Sequence, residues 1–104
     1  MPDFLDISGA SGARYRFRSA APAELPVMAG NVLVASGPSA RLKVLFCGAA
    51  HSLVRAAPIV TETLKANRNA RLFVRLNVAR AVREAEHADI VAAVEPDAEA
   101  ADLD

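Results

Sequence analysis

From Arg14 to Arg18 the chain reads Arg-Tyr-Arg-Phe-Arg, a strict alternation of cationic and aromatic side chains. Successive side chains of an extended strand project to opposite faces, so this stretch reads as a strand with one dry face and one wet face. Tyr15 and Phe17 fall on the dry face, and Arg14, Arg16 and Arg18 fall on the wet one. A short β-prone run, Phe4–Ile7, precedes it, and Ser8–Gly12 (SGASG) between the two is a cluster of turn formers. Residues 4–18 are therefore expected to form a β-hairpin with one face open to water. The rest of the chain has to build a core against the other face.

Residues 19–29 carry two prolines and read as a connecting loop. Val32–Ala35 and Leu42–Cys47 are short apolar strands on either side of Ser36-Gly37-Pro38-Ser39, a second hairpin. His51–Asn67 reads as helical but is interrupted at Pro58, which kinks a helix or starts one. Arg71–Leu76 alternates and reads as a strand. Asn77 is placed to cap the following helix, Val78–Val94. On that helix Val78, Val82, Ala85 and Ala92 share one side, and His87, Ile90, Val91 and Val94 share the other. A helix apolar on two sides is largely buried or contacts a partner. Asp89 lies among the first group and, if buried, needs a cationic or amide partner. Glu95-Pro96 ends the helix, and residues 97–104 read as a disordered acidic tail. The expected architecture is one α+β domain over residues 1–96. It is sandwich-like, with a small antiparallel or mixed sheet, an N-terminal hairpin and two main helices.

A chain of 104 residues that is 53% hydrophobic has room for one packed core. No apolar run approaches the ~20 residues of a membrane span, and MPDFLDISG lacks the pattern of a secretory signal, so no membrane partner is expected. A single cysteine, Cys47, excludes an internal disulfide and a thiolate metal site, and implies a reducing, cytoplasmic setting. Two histidines, His51 and His87, are too few for a histidine metal cluster. The chain has no glycine-rich phosphate loop, dinucleotide fingerprint, HExxH or CxxC, so neither a metal nor a cofactor is expected. Cys47 and His51 could pair as nucleophile and base, but Cys47 sits within an apolar strand and reads as a small buried hydrophobe. Charge is divided along the chain. Residues 1–83 hold all twelve basic residues and only four acids, a net +8, whereas residues 84–104 hold eight acids and no Lys or Arg, a net −8.

From Ala29 to Pro96 the order hairpin, helix, strand, helix resembles a GIY-YIG nuclease domain. The first motif falls at Gly30-Asn31-Val32 and the second at Phe46-Cys47-Gly48. Arg55 stands at the position of the family's helix arginine, and EHADIVAAVEP is similar to the family's late EADLIxxxxP segment. The resemblance places the two motif tyrosines at Val32 and Phe46, and the metal-binding glutamate at His87, with Glu86 adjacent. It implies that Val32, Phe46 and Arg55 lie near one another with the last helix beside them. Such a nuclease uses a phenol for proton transfer and a carboxylate to hold the metal. Neither Val32 nor Phe46 can exchange a proton. The resemblance therefore implies a catalytically inactive GIY-YIG-like domain kept as a binding or regulatory module for nucleic acid or protein. Two alternatives stand beside it. One is a metal-dependent endonuclease rebuilt from Glu86, His51, His87 and Arg55, and the other is a protein-interaction domain with no nucleic-acid role.

Two binding surfaces are expected. Arg14, Arg16 and Arg18, joined by Arg71 and Arg75, form a face for phosphates or for an acidic protein. No aromatic is interleaved on that face, so base stacking is not expected there. The apolar rear of the last helix could pair two copies.

Overall fold

The computed structural model describes residues 4–103. Both hairpins form, and a strand from later in the chain joins them into one sheet. β1 (Phe4–Ser8) pairs antiparallel with β2 (Arg14–Ala20), and β3 (Gly30–Ser36) pairs antiparallel with β4 (Lys43–Ala50). β5 (Arg71–Leu76) lies between β2 and β3, antiparallel to both. A short β6 (Ala98–Ala100) adds in parallel to β4, giving the order β1-β2-β5-β3-β4-β6. Helix α1 (Ala57–Ala66) follows a 3-10 turn at Leu53–Ala56, and helix α2 (Arg80–Val94) follows β5. The fold is α+β, a mixed six-stranded sheet with two helices. No helix among the described residues is long and apolar enough to cross a membrane.

Alternation along β5 divides the core. Leu72 and Val74 pack with Val32, Val34, Phe46 and with Val60 of α1. Phe73, between them, packs with Phe17, Leu33 and with Ile90 of α2. Adjacent strand residues point to opposite faces, so α1 and α2 lie on opposite sides of the sheet. Helix α1 packs on β3, β4 and β5, and the β1–β2 end of that face is left open, where Arg14, Arg16 and Arg18 are exposed.

Several sequence expectations are met closely. Pro58 sits at the second position of α1, in the first turn, where its missing N–H would have no intrahelical acceptor. Asn67 ends that helix. Three expectations are corrected. First, Asn77 does not cap α2. The helix starts at Arg80 with Ala79 at the cap and no side-chain cap bond. Asn77 instead donates to Asn31 Oδ1 (3.0 Å) and to Glu86 Oε1 (2.8 Å). Asn31 is only 2% exposed, and a buried amide without partners costs more than an exposed helix end that water can satisfy.

Second, the two apolar sides of α2 are not equivalent. His87 and Ile90 are buried, whereas Val78, Val82, Ala85 and Ala92 face solvent. Third, the C-terminal segment is not a disordered tail from residue 97. Glu95 takes a left-handed conformation (φ 46°), which ends α2 and turns the chain back along the free edge of β4. Residues 98–100 then pair with Phe46–Gly48, the Leu103 amide donates to the Ala49 carbonyl (3.0 Å), and the Leu103 side chain packs on the α1-side core. The folded unit therefore runs through Leu103. An open strand edge is a row of unpaired donors and acceptors, and a segment can satisfy it without any apolar periodicity of its own.

Candidate functional site

The positions drawn from the nuclease resemblance do not converge. Val32 and Phe46 sit together in the α1-side core, 2% and 1% exposed. Arg55 is exposed on the turn before α1. Glu86 and His87 belong to α2, on the opposite face of the sheet. The expectation that the last helix lies beside Val32, Phe46 and Arg55 is corrected accordingly: β3 sends Val32 to one face, and α2 packs on the other.

Of that set, Glu86 is also engaged elsewhere and His87 faces β6. The Glu86 carboxylate accepts from Arg75 Nε (3.2 Å) and from Asn77 Nδ2. His87 is buried, and its Nε2 lies 3.4 Å from Glu99 Oε2 on β6 without a hydrogen-bond partner among the described residues. Cys47 is paired in register with Glu99, and burial, with a lesser push from that carboxylate, raises its thiol to about 12. His51 is exposed beyond the end of β4, so Cys47 and His51 do not form a nucleophile–base pair in a common site. No group of three His, Cys, Asp or Glu among the described residues is placed to hold a metal.

The first hairpin carries the other candidate. Its register sets Phe4 beside Arg18, Asp6 beside Arg16 and Ser8 beside Arg14, and Arg18 lies beside Val74 of β5. Its open face therefore bears Phe4, Asp6, Ser8 and three arginines, next to Val74 and Leu76. Arg71 and Arg75 are corrected out of this face, because alternation along β5 turns them to the α2 side. There the Arg75 guanidinium reaches Glu86 and lies 5.5 Å from the Tyr15 ring centre, and Arg71 lies 5.3 Å from that of Phe73. Arg16 is forked onto Asp6 through Nε (2.9 Å) and Nη2 (3.3 Å), and lies 5.3 Å from the centre of the Phe4 ring. That hydrogen-bonded ion pair holds the Asp6 carboxyl below its ordinary range and raises the Arg16 guanidinium.

Phe4 is the residue that the sequence reading missed. It is 54% exposed and shares the arginine face. Counting pairs outward from the turn at residues 9–13 puts residue 4 opposite residue 18, so the signal was present in the hairpin register. Phe4, Arg16, Arg18, Val74 and Leu76 line a shallow depression of about 290 Å³.

The hairpin is fastened from behind. Asp89 of α2 accepts from the Ser11 amide (2.8 Å), the Ser11 hydroxyl (2.7 Å) and the Tyr15 hydroxyl (2.6 Å). These bonds, that from Tyr15 first, hold the Asp89 carboxyl below its ordinary value, and the same contact raises the Tyr15 phenol. Gly9 is required because a Cβ there would collide with the Asp89 carboxylate. Asp89 thus has the partner its position demanded. Tyr15, between Arg14 and Arg16, ties the arginine strand to α2. Comparison with family models, with curated proteins and with solved structures returns no match to this chain.

Proposed function

We propose that the chain is a binding module that docks an anionic macromolecule on the open face of its first hairpin and does not cleave it. The observation that carries this reading is the set Arg14, Arg16 and Arg18, exposed on one strand face that no helix covers. Arginine presents a planar fork suited to phosphate oxygens, and the Tyr15–Asp89 anchor restrains the strand that bears these forks. Within the GIY-YIG-like reading, binding is favoured over cleavage because Val32 and Phe46 have no proton to transfer and Glu86 is held by Arg75 and Asn77. Pairing of two copies through α2 is a separate expectation that draws on the exposed Val78 and Val82, and sedimentation equilibrium reads it directly.

The test is the affinity for a labelled single-stranded oligonucleotide, titrated across salt. Each phosphate contact on a single strand contributes about −0.7 to the slope of log K against log salt; with Arg16 forked onto Asp6, Arg14 and Arg18 give a slope of about −1.4, and Arg18→Ala removes about half of it. A salt-independent affinity, or one indifferent to Arg14→Ala and Arg18→Ala, would contradict the reading. Binding to polyglutamate but not to the oligonucleotide would make the partner an acidic protein. Magnesium- or manganese-stimulated cleavage lost in Arg55→Ala and Glu86→Ala would replace binding with catalysis.

A further inference from the structure

We infer that the anionic partner is single-stranded nucleic acid, and that the depression between Phe4 and Leu76 seats one of its bases. This inference rests on the binding-module reading and adds a ligand class to it. Phosphate contacts alone would require only the arginines. The face also offers Phe4 and Leu76, 54% and 46% exposed, on opposite sides of the strand that carries Arg16 and Arg18, with buried Val74 beside Leu76. Exposed apolar walls within a cationic surface are suited to a ligand that is anionic and carries flat apolar faces. A duplex stacks its own bases away from a sheet surface, whereas a single strand can splay them onto aromatic rings and guanidinium planes.

The arginines divide by role. Asp6 pins the Arg16 guanidinium with two hydrogen bonds beside the Phe4 ring, so that its plane is oriented before any ligand arrives. Arg16 is thereby largely neutralised, and Arg14 and Arg18 are the pair left for phosphates. Asp6 also places a fixed negative charge on the face. It repels carboxylates and phosphates alike, so discrimination has to come from the aromatic seat.

The experiment compares a fluorescein-labelled oligothymidylate with an abasic oligomer of the same length, which has the phosphates but no bases, by anisotropy at low salt. The full chain should bind the oligothymidylate more tightly. Phe4→Ala should weaken that binding about five- to a hundredfold, the range found for loss of one stacking platform, and leave abasic binding unchanged. Phe4→Trp should retain the preference, and Leu76→Ala should reduce it. Both side chains are about half exposed, so these variants keep the core. Equal affinity of the unaltered chain for the two oligomers, or equal weakening of both by Phe4→Ala, would overturn the base seat while leaving the arginine face standing. Failure of both oligomers to bind would overturn nucleic acid as the ligand, and failure of polyglutamate to bind as well would overturn the binding-module reading.

Discussion

Asp89 is a single carboxylate that sets the pose of a whole hairpin, and its chemistry makes that pose sensitive to acid. Tyr15 and Ser11 hold its carboxyl below the ordinary Asp value of about 3.9. The folded state therefore binds fewer protons there than the unfolded state. The stabilisation is present above about pH 4 and is lost as pH falls through the lower, folded value. Asp89→Asn should be less stable than the unaltered chain at neutral pH, and the gap in urea midpoint should narrow below about pH 4. A gap that is constant with pH would show that the carboxylate charge is not what matters. Asp6, lowered by Arg16, titrates in the same window, so some acid sensitivity should survive in the variant. Cys47 gives a second expectation at this scale. With its thiol near 12 and its side chain buried, an aromatic disulfide reagent at pH 8 should modify it no faster than the chain unfolds, and a rapid stoichiometric reaction would contradict this. The sequence showed that Asp89 needed a partner and that Tyr15 faced inward. It could not show that they meet, since they stand 74 positions apart along the chain.

Among the elements, β6 was the least legible. Its residues are small or acidic and have no apolar period, which is the composition of a solvated tail. What orders it is the backbone edge of β4 and the one apolar side chain beyond it, Leu103, and neither leaves a pattern in the segment itself. Leu103→Ala should cost about 1–2 kcal/mol, below the range for fully buried leucines because Leu103 is only partly buried. Truncation after residue 96 should go further, exposing the β4 edge and promoting self-association visible by light scattering. An unchanged urea midpoint in both would mean that the segment is not docked in solution. The two hairpins, β5 and both helices were readable because each carries its own periodicity or turn chemistry. The order of these elements was readable too. Which face of the sheet each position occupies was not, because Val32 and His87 are separated by β4, α1 and β5, and only the assembled core decides the side on which each helix packs.

Across the whole molecule part of the charge split becomes a division in space, although Glu84, Glu86 and Asp97 pair with Arg80, Arg75 and Lys43. The arginine face lies on β2, and the C-terminal acids lie on and around β6, four strands away, roughly 19 Å along the sheet at ~4.8 Å per strand. That exceeds the Debye length of about 8 Å at 0.15 M salt but not the 30 Å at 0.01 M. Neutralising Asp97→Asn and Asp102→Asn should therefore raise oligonucleotide affinity at the lower salt and leave it nearly unchanged at the higher. An equal gain at both would place the acidic segment against the binding face. The central claim, that ligand docks on the open face of the first hairpin, is tested most directly by amide chemical-shift mapping during titration with oligothymidylate. Shifts are expected to concentrate at Phe4–Ser8, Arg14–Arg18 and Val74–Leu76. Shifts centred on Val32, Phe46 and Arg55, or on α2, would contradict the claim.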